Sequence, residues 1–222
     1  MRRRWKAVLF DLDGTLIDSL PDIAAAANRL LAAEGRAPLT PAEVRPMIGD
    51  GAGRLVERVF AARGGLPGPA LAPYLARFVA DYEKRAADLT RPFPHVAETL
   101  AGLKAEGIRM AVCTNKPSGA TALALGTLGL ADFFDVVVGG DDAPALKPDP
   151  RHLLAAVERL GTSVGDTAMV GDSANDVLAA KAAGIPCVAV SFGYLRGPVG
   201  DLGADAVIDD FRDLPRALAA LE

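Results

Sequence analysis

Hydrophobic positions change their period along the chain. Ala7-Val8-Leu9-Phe10 is a continuous apolar run with no polar face, which predicts a strand buried on both sides. From about residue 17 to 90 the apolar positions then recur at helical spacing, with no convincing strand pattern. Ser19-Leu20-Pro21-Asp22 has the form of a capping box, and the alanine- and leucine-rich helix after it stops near Gly35. Thr40-Pro41-Ala42-Glu43 repeats that signal, with Thr40 as N-cap. Leu55, Val56, Val59 and Phe60 predict a third helix, and Leu71, Leu75, Phe78 and Tyr82 a fourth.

From Arg91-Pro92-Phe93-Pro94 onward the pattern alternates. Helical segments that end on Gly107, Gly129 or Gly184 lead into short apolar runs at 108–113, 136–138 and 187–190, and a further run lies at 168–170. Apolar runs between helices indicate a parallel sheet covered on both faces. The predicted architecture is α/β, a Rossmann-like parallel sheet core interrupted after its first strand by an all-helical insert. The core is expected over residues 1–16 and 91–222, and the helical cap over 17–90.

Bulk properties narrow the function classes. At 222 residues the chain fits one large domain or a medium core with an inserted module. A net charge of -4 gives no support to nucleic-acid binding. Arg2-Arg3-Arg4 with Lys6 reads as a short solvated lead into the first strand. No secretory signal is expected, because the apolar stretch after it is short and broken by Asp11 and Asp13. No apolar run is long enough to span a membrane. Cys113 and Cys187 lie inside apolar runs and read as small buried hydrophobes, consistent with a reducing cytoplasmic setting.

The candidate chemistry sits at the predicted strand ends, where open α/β sheets collect it. The first strand ends in Asp11 and Asp13, whose side chains would leave an extended segment on the same side and repel unless a cation or shared proton relieves them. Other strands end in Thr114-Asn115-Lys116, Gly139-Gly140-Asp141 and Gly171-Asp172-Ser173, and Lys147 follows Asp141 closely. Asp11, Asp13 and Asp172 offer hard oxygen ligands, few in number, as Mg²⁺ favours. Thr114, Asn115 and Lys147 offer donors for phosphate oxygens. Asp176, four residues after Asp172, falls on the same side of a helix start. Together these groups predict phosphoryl transfer to an aspartate.

The segments Phe10-Asp11-Leu12-Asp13-Gly14-Thr15-Leu16, Val112-Cys113-Thr114-Asn115, Leu146-Lys147-Pro148 and Val170-Gly171-Asp172-Ser173-Ala174-Asn175-Asp176 resemble, in order, the four motifs of the haloacid dehalogenase superfamily. The resemblance implies that Asp11 is the nucleophile and Asp13 the acid and base. It implies that Mg²⁺ is held by the Asp11 and Asp172 side chains and the Asp13 carbonyl, with Asp176 behind them. Thr114 and Lys147 would bind the phosphoryl group. Asp13 favours the phosphatases and phosphomutases of that family over its dehalogenases. Gly171 weighs against a β-phosphoglucomutase, and Lys84, the one lysine between 17 and 90, is poorly placed for a phosphonate-cleaving branch.

Val44 to Gly51, Arg91 to Pro94 and Ser191 to Tyr194 are most similar to the bacterial phosphoglycolate phosphatase branch, although His95 stands where glycine is common. The expected substrate is therefore a small phosphorylated metabolite, 2-phosphoglycolate first, with Arg54 facing its carboxylate. Sugar phosphates, nucleotides and pyrophosphate are the alternatives. A phosphorylated signalling domain is disfavoured by the helical insert and by Asp13. No nucleic-acid or membrane partner is expected, and the state is monomer or homodimer. Asp149-Pro150 is expected to be an N-cap and first-turn proline, Gly49, Gly51 and Gly53 a flexible turn, and His95 and His152 surface or hinge residues.

Overall fold

The first apolar run lies at the centre of the sheet. In the computed structural model, which describes residues 5–221, β1 (Ala7–Phe10) is buried along its whole length between β4 (Arg109–Cys113) and β6 (Thr167–Gly171). All pairings in this sheet are parallel, and β5 (Val136–Val138), β7 (Cys187–Val190) and β8 (Ala206–Ile208) complete the order β5-β4-β1-β6-β7-β8. The chain steps outward from β1 to β4 and β5, then returns to the other side of β1 for β6. That reversal is the topological switch point at which such sheets bind ligands. The 187–190 run does not close the sheet, because the short β8 pairs outside it as an edge strand.

Both faces of β1 are covered. Val8 and Phe10 join a layer with Val96, Leu100 and Leu103 of α5 (Val96–Ala105) and Leu214 and Leu218 of α9 (Leu214–Ala220). Ala7 and Leu9 join the opposite layer with α7 (Arg151–Leu160) and α8 (Ala174–Ala183). α6 (Ser118–Thr127) follows β4. Both cysteines are reduced and buried among these strands.

The helices between residues 17 and 90 form a third hydrophobic cluster of their own. It is built from α1 (Leu20–Ala33), α2 (Pro41–Val44), α3 (Ala52–Ala61) and α4 (Ala72–Tyr82), and only Ala120 and Tyr194 join it from elsewhere. Thr40 caps α2 as the sequence predicts, and Gly35, Gly107, Gly129 and Gly184 all take positive φ after their helices. Two strands too short to show a period frame the insert: β2 (Ile17–Asp18) pairs antiparallel with β3 (Arg91–Pro92). The capping box expected at Ser19 is absent. The Ser19 hydroxyl donates instead to Asp13 at 2.6 Å, and Asp22 accepts from the backbone and hydroxyl of Thr90. Arg2, Arg3 and Arg4 lie outside the described residues, while Lys6 pairs with Asp166.

Candidate active site

Phe10 stands opposite Val112 on one side and Val170 on the other, so three neighbouring strands end at one level. The residues that follow emerge together. The Asp11 amide donates to the Val170 carbonyl at 2.9 Å, and the Thr114 amide to that of Val138 at 3.0 Å. Asp172 follows β6 directly, and Asp176 arrives in the first turn of α8. Carboxylate oxygens of Asp11, Asp172 and Asp176, all buried, lie within 4.8 Å of one another. Lys147 Nζ enters this group at 2.8 Å from Asp11 and 2.6 Å from Asp176. The other Asp176 oxygen accepts from the Ser173 amide at 3.0 Å and its hydroxyl at 2.6 Å, which leaves Asp176 engaged on both sides.

Such crowding has an electrostatic cost. Burial, reinforced by the Asp176 charge and opposed by Lys147, pushes the Asp11 carboxyl up to about 7. Burial and the charges of Asp11 and Asp176 push Asp172 well above the usual carboxylate range, against the hydrogen bond it accepts from the Tyr194 amide. Burial works against the Lys147 ammonium, but the two carboxylates beside it win and raise its pKa. Three buried carboxylates thus face one ammonium. An all-oxygen donor set with excess negative charge fits a hard divalent cation. Close approach requires glycine here: a Cβ on Gly193 would lie 2.2 Å from that of Asp172, and one on Gly14 2.2 Å from an Asp172 oxygen.

Asp13 points elsewhere. Lys116 Nζ lies 2.8 Å from one of its oxygens and 3.2 Å from the other, and the Ser19 hydroxyl donates to the nearer of the two. Lys116 is itself buried, hydrogen-bonded to the Tyr82 hydroxyl and 4.6 Å from the centre of that ring. The aspartate pair has therefore separated, each member with its own lysine. Beyond Asp13 opens a pocket walled by Ile23, Ile48, Leu55 and Phe78 from the helical insert, with Tyr82 and Lys116 as its polar corner.

Several side chains hold the insert over this pocket. Gly49 accepts from the amides of Asn115 and Asn175, and Asp50 binds Arg58, Arg196 and Asn175. Arg45 reaches the Gly193 carbonyl. Burial works against the Asp50 carboxylate, yet the hydrogen bonds from Arg196, Asn175 and Arg58 keep its pKa below the usual range.

Some expectations need correction. Arg54 does not face the pocket; its side chain is 68% exposed and pairs with Glu57 one helical turn along. Asn115 commits both amide hydrogens to the carbonyls of Gly49 and Lys147 and accepts from the Lys147 amide, so it braces the lysine loop rather than offering side-chain donors to phosphate. His152 is not a surface residue; it is buried with Nε2 3.3 Å from the Val138 carbonyl. Asp149 accepts from the Arg151 amide, but α7 starts after Pro150, which occupies the N-cap position itself. His95 adopts φ 64°, the left-handed conformation that glycine reaches without strain. Lys116 and Tyr194 carry more of the site than their sequence context suggests. The one available signal for Lys116 was its place directly after Thr114-Asn115.

Known proteins resemble this chain in sequence and in fold. A sequence model described as haloacid dehalogenase-like hydrolase matches residues 8–190. A phosphoglycolate phosphatase of Caulobacter vibrioides is 48% identical over 215 residues, covering 96% of this chain and 91% of that protein. One from Rhodospirillum rubrum is 48% identical over 214 residues, covering 94% of this chain and 89% of its own. A crystal structure of a predicted phosphoglycolate phosphatase from Haemophilus somnus superposes with a TM-score of 0.90 at 32% identity, over 96% of this chain and 97% of that one. With the motif match spanning most of its length and relatives of this identity covering nearly all of it, the chain belongs to the haloacid dehalogenase-like hydrolases.

Proposed function

We propose that the protein is a Mg²⁺-dependent phosphatase that hydrolyses a small phosphate monoester, 2-phosphoglycolate, to glycolate and phosphate. The observation that carries this reading is Asp11 at a sheet edge, 2.8 Å from Lys147 and grouped with Asp172. The side chains of Asp11 and Asp172 and the carbonyl of Asp13 would hold Mg²⁺, which when bound neutralises the phosphoryl oxygens and keeps Asp11 ionised.

An Asp11 oxygen attacks phosphorus in line, forming an aspartyl-phosphate as the bond to the alkoxide breaks. Asp13 gives its proton to that leaving oxygen, then takes one from the water that attacks phosphorus and releases phosphate, restoring Asp11. Lys147 and the Thr114 hydroxyl hold the phosphoryl oxygens through the transfer. The Thr114 oxygen accepts from the Lys116 amide at 3.2 Å, which leaves its own hydrogen to donate. Phosphate-monoester hydrolysis needs accelerations of up to about 10²¹, and alignment with charge neutralisation is what such a site supplies.

Residues 17–90 serve as a cap on a core of 1–16 and 91–222, and cap opening admits the substrate. The relatives' names support the substrate, as does a pocket beyond Asp13 enclosed by cap side chains. The test is kcat/KM with Mg²⁺ over 2-phosphoglycolate, hexose phosphates, pyrophosphate and nucleoside monophosphates. Phosphoglycolate is expected to lead, and Asp11→Asn to abolish turnover of every compound. A clear preference for sugar phosphates would overturn the substrate and leave the chemistry standing.

A further inference from the structure

We propose that Lys116, with the Tyr82 hydroxyl beside it, is the group that reads the substrate's carboxylate. This inference rests on the phosphoglycolate reading and replaces Arg54 as the cation that reading requires.

The substrate is short. In 2-phosphoglycolate a single methylene separates the bridging oxygen from the carboxyl carbon. Whatever group serves the bridging oxygen must therefore have the carboxylate as its near neighbour. Asp13 is that group, so the substrate's carboxylate must be held beside Asp13, within a pocket of mostly apolar walls where a negative charge needs a cation. Lys116 Nζ lies 2.8 Å from Asp13. Among the described residues lining the pocket it is the only cation, the walls being Ile23, Ile48, Leu55 and Phe78.

The ammonium is placed to accept a further partner. Its three hydrogens face the two Asp13 oxygens and the Tyr82 hydroxyl, and the longer Asp13 contact, at 3.2 Å, is the one a substrate carboxylate would take over. Its side chain is 1% exposed, and water competes poorly for a cation so enclosed. Tyr82 closes α4 in the insert, whereas Lys116 stands on the loop after β4. A carboxylate held by both would join the helical layer to the sheet edge, and only a substrate short enough to reach both would do so. Arg54, exposed and paired with Glu57, has neither property.

The test compares 2-phosphoglycolate with ethyl phosphate, which keeps the leaving oxygen and lacks the carboxylate. For Lys116→Met, kcat/KM on 2-phosphoglycolate should fall by about 100-fold or more, the usual scale for removing one partner of a buried charge pair. The fall on ethyl phosphate should be smaller by about an order of magnitude, so the selectivity ratio collapses. Tyr82→Phe, which keeps the ring, should raise KM for 2-phosphoglycolate several-fold more than for ethyl phosphate, and it decides the matter if Lys116→Met does not fold. Equal losses on both compounds in these variants would overturn the inference and leave the phosphoglycolate reading intact. A wild-type protein that fails to prefer 2-phosphoglycolate over ethyl phosphate would overturn both.

Discussion

Asp22 and Thr90, 68 positions apart, are joined by two hydrogen bonds, from the Thr90 amide at 2.8 Å and its hydroxyl at 2.6 Å. The Leu89 amide adds a third donor to the same carboxylate. All of this lies where the helical insert leaves and rejoins the sheet, next to the β2–β3 ribbon, so the two ends of the insert are clamped at one point.

Asp22→Ala should therefore destabilise the fold. It strands buried donors whose loss costs about 1–3 kcal/mol each, and a net loss of about 2–4 kcal/mol is expected. Chemical denaturation followed by circular dichroism reads it directly. A variant within 0.5 kcal/mol of wild type, about the scale of an inert surface change, would show that the clamp contributes nothing.

Among the described residues, Lys147 is the one ammonium shared by Asp11 and Asp176. Lys147→Met leaves both carboxylates buried without it, a change that typically costs about 3–5 kcal/mol. Phosphatase turnover should fall by about 10²–10³-fold or more, as when a transition-state donor is deleted. Turnover within about 10-fold of wild type would remove Lys147 from the phosphoryl site.

Asp11, Asp13, Lys147 and Asp172 were legible in the sequence for a physical reason. Each lies at or just beyond a strand whose apolar run announces itself, and parallel register carries those ends to one edge. Lys116 and Tyr82 were not legible as a pair, because their meeting depends on how α4 docks over the sheet, and helical periodicity does not encode docking. Arg54 illustrates the converse. Its position after a glycine turn suggested a cation near the substrate, yet α3 buries Leu55, Val56, Val59 and Phe60 and thereby turns Arg54 outward. Ser19 fitted a capping pattern, but its backbone does not take the extended N-cap conformation, and the Tyr194 hydroxyl accepts from the Ser19 and Leu20 amides. β2 and β3 are too short for any period to show.

Arg54→Ala should leave kcat/KM for 2-phosphoglycolate within about 2-fold of wild type, because an exposed ion pair contributes at most about 1 kcal/mol and this one touches no pocket residue. Steady-state kinetics decides it. A drop confined to 2-phosphoglycolate would return Arg54 to the substrate site.

The buried carboxylate group should make stability depend on Mg²⁺. A cation bound only by the folded protein adds about 2.7 kcal/mol at 100 times its dissociation constant, which for a chain of this size raises Tm by several degrees. Asp172→Asn, which removes a charge and keeps the side chain's shape, should reduce that shift sharply in thermal denaturation. A Tm insensitive to Mg²⁺ in the wild type would argue against a cation at Asp11 and Asp172.

His152 gives the molecule a second, independent pH response. Burial, with the nearby Lys147 charge, lowers its pKa from 6.5 to about 4. Between those values the unfolded chain binds a proton that the folded one refuses, so stability must fall as the pH is lowered through 6.5, and the loss is complete only below about 4. The full effect is on the order of 3 kcal/mol. Asp11 acts in the opposite sense, since its raised pKa favours the folded state as it takes up a proton from about 7 downward. The measurement must therefore be a difference between two proteins that share Asp11. His152→Asn keeps a polar side chain beside the Val138 carbonyl and does not titrate. Urea denaturation of both proteins at pH 7.5 and 4.5 should show wild type losing roughly 2–3 kcal/mol more than the variant. Parallel losses in the two would mean that His152 accepts its proton in the folded state without penalty, which its enclosure against β5 forbids.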